Sequence, residues 1–269
     1  MTDKWDAADY HKHSGAQYAF AIGLINRLRL NGRERILDIG CGDGKVAAEL
    51  ATRVPHGSVL GIDPSPDMIA FARDVFPASA HPNLRFQHGD AMNLSFCHEF
   101  DVVVAFSSLH WVEDLGAALG GIKQSLIPGG RFVAQLVAKR HATDETRSPL
   151  RRARAEVMER PEWRPYFKGF AQRRVYSADE CERLLRDAGF VVRRCEFVTE
   201  KIPHLNAEAL KGYARSTWHP YTDLIPVEKR EAFLDEVVQR GIELALLDRR
   251  NGIRVRSSML EIDATVAFP

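Results

Sequence analysis

Cysteine is scarce in this sequence. The four present, Cys41, Cys97, Cys181 and Cys195, form neither a CxxC pair nor a zinc-ligand spacing. They read as plain thiols suited to a reducing cytoplasm rather than as a disulfide framework. No apolar run approaches the length of a membrane span. The start, Met-Thr-Asp-Lys-Trp-Asp, lacks the charged-then-apolar character of a signal peptide. A soluble cytoplasmic protein is therefore the expectation. Charge of one sign is missing too: 37 Lys and Arg against 36 Asp and Glu leave +1, so no global field draws the chain to nucleic acid or an anionic membrane. Internal repeats and low-complexity tracts are absent. What is there is 269 residues, 45% hydrophobic and 27% charged. That composition supports a packed core and argues against disorder, and the length suits one α/β domain over 1–269.

The first half alternates strand and helix signals, the pattern of βαβ units around a doubly wound parallel sheet. Residues 35–39, 58–62, 84–88, 100–106 and 131–137 read as strands, and Pro128-Gly129-Gly130 as a turn. Residues 45–54 read as a helix with Val46, Leu50 and Val54 on one face. Ser65-Pro66-Asp67 opens another, with an N-cap, a tolerated proline and an acid at the positive end of the dipole. Helix 113–126 follows, and Ser177 with Glu180 makes a capping box for helix 178–188, which Gly189 ends. Residues 190–198 read as a strand and 206–248 as mostly helical. At 258–268, Leu260, Ile262, Ala264, Val266 and Phe268 alternate with polar residues, which suits an antiparallel last strand. The cofactor-binding half is expected over 33–140, with helical lid insertions at about 141–175 and 203–250 near the carboxyl ends of strands. The Arg-rich stretch Arg147, Arg151, Arg152, Arg154 reads as a solvated helix face.

Strand 35–39 runs into Gly40-Cys41-Gly42-Asp43-Gly44, a loop whose glycines allow a tight turn and close backbone approach to a ligand. A dinucleotide fingerprint needs GxGxxG, and Lys45 occupies its third glycine position. The spacing is GxGxG with Asp38 before it. Asp38-Ile39-Gly40-Cys41-Gly42-Asp43-Gly44 closely resembles the first motif of Rossmann-like methyltransferases. The resemblance implies S-adenosylmethionine as cofactor, with S-adenosylhomocysteine as product, its amino-acid end held by the glycine loop. It also implies that Asp63, ending the second strand, accepts from the ribose hydroxyls, a task for which a carboxylate is suited. Asp63-Pro64-Ser65-Pro66-Asp67-Met68 is similar to the family stretch that wraps the adenosine. In Gly89-Asp90-Ala91-Met92, the resemblance assigns Asp90 to the adenine amino group, Ala91 to the ring edge and a weaker role to Met92. Phe106 and Ser107 at the end of the fourth strand would face the methionine part. These landmarks span roughly 35–137 in order.

Displacement at a sulfonium methyl needs a positioned nucleophile and exclusion of water. A carboxylate needs no base, whereas a phenol or an ammonium does. Leu109-His110-Trp111-Val112 and the N-terminal helix Tyr10-His11-Lys12-His13-Ser14-Gly15-Ala16-Gln17 look like the carboxyl-methylating branch that includes trans-aconitate and juvenile hormone acid methyltransferases. The resemblance implies that Gln17 and Trp111 hold the acceptor carboxylate by their N–H groups and that Tyr10 lies near the methyl group. His110 and His13 are the candidate bases for a phenol or amine acceptor. No acidic cluster accompanies His11 and His13, so no metal site is expected. Tyr213 to Tyr221 also follows the trans-aconitate pattern, with Trp218 and Tyr221 as substrate-binding candidates. His219 stands where those enzymes carry an Arg, which argues against a tricarboxylate. Trp163, Tyr166, Phe167, Trp218 and Tyr221 suggest aromatic lid walls and a more apolar acceptor. The expected function is transfer of a methyl group to a small-molecule carboxylate. The alternatives are a phenol, amine or carbon acceptor, or a non-catalytic S-adenosylmethionine-binding regulator. A monomer and a homodimer are both compatible with the sequence.

Overall fold

The computed structural model describes residues 5–139, 149–170, 174–204, 206–244 and 253–268. Arg147 lies outside them, as do parts of both expected lid segments. Among the described residues, β1 (Arg35–Ile39), β2 (Ser58–Asp63), β3 (Leu84–His88), β4 (Phe100–Phe106), β5 (Leu126–Leu136), β6 (Phe190–His204) and β7 (Ile253–Val266) form one sheet, in the order β3-β2-β1-β4-β5-β7-β6. The first five are parallel, and β7 runs antiparallel between β5 and β6. The expected α/β, Rossmann-like, mostly parallel sheet with an antiparallel last strand is what the chain forms. The Pro128-Gly129-Gly130 turn is absorbed into β5. Phe100 pairs with Leu126 and Val102 with Arg131, so residues 127–130 loop out of register.

Helices cover both faces. α2 (Gly15–Ile25), α3 (Lys45–Arg53) and α4 (Pro66–Val75) pack on Ile36, Val59, Val102, Val104 and Val133. α5 (Leu115–Ser125) and α7 (Ala178–Asp187) pack on Leu37, Val103, Phe132, Ala134 and Ile262. The caps read from the sequence are present: Ser65 Oγ accepts from Met68 N (3.3 Å), and Ser177 and Glu180 bond reciprocally. The N-terminal helix is broken in two. α1 (Ala7–His13) stops at Ser14 before α2 begins, which lets α1 turn away from the sheet and across the strand ends.

The alternation in β7 does not mark a solvent face. Glu261 is 2% exposed and pairs with Arg27 (2.7 Å) and Arg194. Asp263 takes a two-pronged bond from Arg131 at 2.9 and 2.8 Å. The polar positions of β7 are thus covered by arginines from three other segments, which is how an internal strand carries carboxylates.

The lid is built from both insertions. α6 (Pro149–Met158), which follows β5, packs with α8 (Ala207–Thr217), α9 (His219–Thr222) and α10 (Val227–Leu244), which lie between β6 and β7. Its own apolar core corrects part of the aromatic-wall expectation. Trp163 is 1% exposed, with its ring 5.3 Å from Phe233. Phe167 also stacks on Phe233, at 5.6 Å. These rings join Leu150, Val157, Leu210, Leu234 and Val237 in the core that holds the lid helices together.

Candidate active site

β1, β2 and β4 end at one edge of the sheet, where the glycine loop turns into α3. Gly40 and Cys41 both donate from their backbone N–H to Ile62 O, at 2.8 and 3.0 Å. Gly40 has φ 71°, and a Cβ there would fall on Ser108 Cβ. Only glycine permits both the left-handed backbone and this close approach. Ser108 Oγ in turn donates to Ile39 O at 2.7 Å, closing the end of β4 onto the loop.

Asp63 ties the loop to the next helix. Its Oδ2 accepts from Gly42 N and its Oδ1 from Ser65 N, each at 2.9 Å. Each oxygen keeps a further lone pair for a ligand hydroxyl. Burial raises its carboxyl above the ordinary range, and those two backbone donors oppose the rise. Asp38 is more extreme. It is 2% exposed, and its Oδ2 is buried without a partner. Burial first, then the charges of Asp63 and Asp43, push its carboxyl up to about 7. Burial also raises the Cys41 thiol well above its usual value, which keeps it protonated.

Asp43 and Lys45, which sequence reasoning passed over as ligand-site groups, fasten the N-terminal segment over this loop. Asp43 Oδ2 accepts from His11 Nδ1 (3.0 Å) and Ser14 Oγ (3.1 Å). Lys45 Nζ donates to Ser14 Oγ at 2.9 Å and to His11 O, and it lies 3.3 Å from Asp43 Oδ2. The signal available was Ser14 breaking the helix. Nothing local connects it to Asp43.

The structure gathers six of the residues nominated from the sequence here. Tyr10, Gln17, Asp38, Gly40, Cys41 and Phe106 line one crevice, and Gln17 Oε1 is buried there without a partner. The Tyr10 ring covers Gly42, within 3.5 Å of where a Cβ would stand. Burial and the neighbouring carboxylates raise its phenol, so it stays neutral. Trp5 links Tyr10 to Trp111, standing edge-on to each at 5.7 Å. The His219 ring lies 4.9 Å from Trp5. No pattern in the sequence singled out Trp5.

The remaining candidates are more dispersed. Ser107 sits at φ 54° and donates from its N–H to Gln135 O at 2.7 Å. Asp90 Oδ1 accepts from Met92 N (2.9 Å) in a local turn, with Ala91 buried beside it. Met92 Sδ accepts from Asp114 N at 3.4 Å, at the start of α5. Met68 is buried on the inner face of α4, and Pro64 O accepts from His88 Nε2 at 3.1 Å. Trp218 and Tyr221 lie in the lid against Arg154. His110 Nδ1 accepts from Val137 N at 3.4 Å. His13 Nδ1 bonds Asp9 O at 2.9 Å, and its ring packs where a Cβ on Gly212 would stand.

The carboxylates decide what the loop can accept. Asp38, Asp43 and Asp63 surround it, and Lys45 is committed to Asp43 and the N-terminal turn. A pyrophosphate would meet like charge there, whereas a cation would relieve the orphaned Asp38. Comparison with known proteins agrees. Residues 36–130 match the model of a methyltransferase domain. An uncharacterized methyltransferase of Schizosaccharomyces pombe is 30% identical over 73% of this chain and 74% of its own. The chain belongs to the class I methyltransferases. A trans-aconitate 2-methyltransferase of Methylobacterium nodulans is 28% identical over 86% of each chain, which sets this methyltransferase near the trans-aconitate branch. The solved YcgJ protein of Bacillus subtilis shares the fold, with a TM-score of 0.64 at 18% identity over 93% of this chain and all (100%) of that one. Among the described residues, no helix is long and apolar enough to cross a membrane.

Proposed function

We propose that this methyltransferase transfers the methyl group of S-adenosylmethionine to a carboxylate of a small molecule, forming a methyl ester. The donor fits the residues present. Its ammonium and sulfonium charges suit a loop ringed by Asp38, Asp43 and Asp63, and the unpartnered Asp38 Oδ2 and Gln17 Oε1 lie at the crevice that would take its amino-acid end. Gly40–Gly44 would follow its backbone atoms, Asp63 its ribose and Asp90 its base. When bound, S-adenosylmethionine supplies a methyl group on a sulfonium leaving group.

The observation that carries the acceptor class is that both histidines nominated as bases are committed elsewhere. His110 uses its Nδ1 lone pair on Val137 N–H, which places its ring proton on Nε2. His13 donates from Nδ1 to Asp9 O, which leaves the lone pair on Nε2, and that edge of the ring is packed against Gly212 on α8. A carboxylate, ionised at neutral pH, needs neither. The Gln17 amide and the Trp111 indole orient it by neutral N–H groups, so no ion pair blunts its attack. Trp5 and Tyr10 exclude water from the reacting atoms. The trans-aconitate relative supports the same acceptor class.

The test is methyl transfer from labelled S-adenosylmethionine to a panel of carboxylic acids, phenols and amines. Base-labile label on an acid is the expected result. Base-stable label on a phenol or amine would overturn the acceptor reading and make His110 and His13 the residues to substitute.

A further inference from the structure

β5 carries a glutamine into the core. Phe132, Ala134 and Leu136 belong to the apolar layer under α5 and α7, whereas Val133 belongs to the layer under α2, α3 and α4. Strand alternation therefore turns Gln135 toward α2. Its side chain is 0% exposed, and its Oε1 and Nε2 are both buried without a partner. Among the described residues it is the one side-chain amide in that state. An open donor and an open acceptor each cost stability in the interior, so the group calls for a use outside the fold. The neighbouring strands do not satisfy it. On one side its register partner is Phe106, which has no polar side-chain atom. On the other it is Glu261, whose carboxylate is taken by Arg27 and Arg194.

Contacts on both sides lead from this amide to the active site. Phe106 lines the donor crevice together with Gln17. Gln17 is on α2, which packs on the same face of the sheet, and its Oε1 is also buried without a partner. Gln135 O accepts from Ser107 N at 2.7 Å. Two residues further along, Val137 N donates to His110 Nδ1 at 3.4 Å, and the His110 ring lies tilted against Trp111 at 5.2 Å. Gln135 is thus bracketed by residues that reach Gln17 and Trp111, the two groups proposed to orient the reacting carboxylate. Beside it, Ala16 and Phe20 of α2 pack with Met259 and Val137. Gln135 is the polar group at the edge of this apolar patch.

We propose that Gln135 is a further acceptor-binding residue and that it takes a hydroxyl on the carbon chain beside the reacting carboxylate, so that the substrate is a hydroxy acid. This rests on the carboxylate acceptor proposed above. The amide itself selects the group, because it presents an acceptor and a donor together. A hydroxyl answers both, donating to Oε1 and accepting from Nε2. A carboxylate only accepts and would leave Oε1 open. An ammonium only donates and would leave Nε2 open, and a plain alkyl chain would leave both.

The experiment compares short straight-chain monocarboxylic acids with their hydroxy acids, the hydroxyl on the first or second carbon from the carboxylate, and with the methyl ethers of those. Binding is read by tryptophan fluorescence in the presence of S-adenosylhomocysteine, and turnover is read as KM and kcat. In the wild type, one hydroxy-acid series should bind about 10- to 100-fold more tightly than the unsubstituted acids and than the ethers, which cannot donate. Gln135→Met keeps the length of the side chain without its amide and should abolish that preference through KM. Its urea midpoint without ligand should equal or exceed that of the wild type, because an unsatisfied amide has been removed. Equal binding of hydroxy and unsubstituted acids by the wild type would overturn the proposal, since a water held by the amide gives that result. A lower urea midpoint in Gln135→Met with an equal loss for all acids would do the same, as the signature of a structural role. Gln135-dependent binding of hydroxy acids without methyl ester formation would sustain the hydroxyl contact and overturn the acceptor reading instead.

Discussion

Asp38 shows how one buried carboxyl couples ligand binding to pH. Its native pKa of about 7 lies above the ordinary 3.8. The ligand-free protein therefore holds this proton in the window between the two values, where an unfolded chain has lost it. The sign follows by linkage: this group's contribution to stability is fully present below the lower value and is lost as pH rises through 7. A cationic donor holds the carboxylate ionised, so binding below pH 7 should release a proton and weaken as pH falls. Calorimetry of S-adenosylhomocysteine binding in two buffers of different ionisation enthalpy, at about pH 6, measures the release. Asp38→Asn should abolish it, and identical heats for the wild type in both buffers would refute the assignment. Gly40→Ala acts on the same loop by sterics. The new Cβ meets Ser108 at a positive φ, so a loss of more than about 1 kcal/mol in stability is expected, read by urea unfolding.

At the scale of elements, the ion pairs beneath β7 and the α1–α8 contact are the exposed points. Glu261 serves both Arg27 and Arg194 at 2% exposure. Glu261→Gln leaves Arg27 without its charge partner and Arg194 with Glu196 alone, and should lower stability by about 2 kcal/mol in urea. A loss below about 1 kcal/mol would mean that the arginines find water instead. In α8, Gly212 is small because the His13 ring occupies its Cβ position. Gly212→Ala should displace α1 and weaken donor binding about tenfold, a penalty of the size that overpacking produces. The sheet core should melt as before. An unchanged donor Kd would show that α1 docks independently of the lid.

Across the whole molecule, the N-terminal segment joins donor site and lid. α1 is fastened to the glycine loop through Asp43, Ser14, His11 and Lys45 and to α8 through His13 and Arg215, the latter 3.6 Å from Asp9. Donor binding and closure of this segment therefore share residues, and each should favour the other. S-adenosylhomocysteine should slow tryptic cleavage after Lys12 in the wild type. In Asp43→Asn that protection should shrink, while cleavage without ligand becomes faster. Equal cleavage rates in all four conditions would show that the segment stays docked regardless.

By itself the sequence determined the framework of this protein. The short apolar strands, the Ser65 and Ser177 caps and the Gly40–Gly44 loop are set by side-chain periodicity and backbone sterics, which act over a few residues. Asp38 and Asp63 were legible because they stand at fixed offsets from strand ends. Tertiary structure alone decided which groups meet across long separations. Ser14 finds Asp43, Trp5 joins Tyr10 to Trp111, and Glu261 collects arginines from two other segments. It also gathered Trp163 and Trp218 into one packed lid core, with Arg154 against the Trp218 ring. A solvated Arg and a buried Arg look identical in a sequence, because the difference is the desolvation imposed by the helices that close around it.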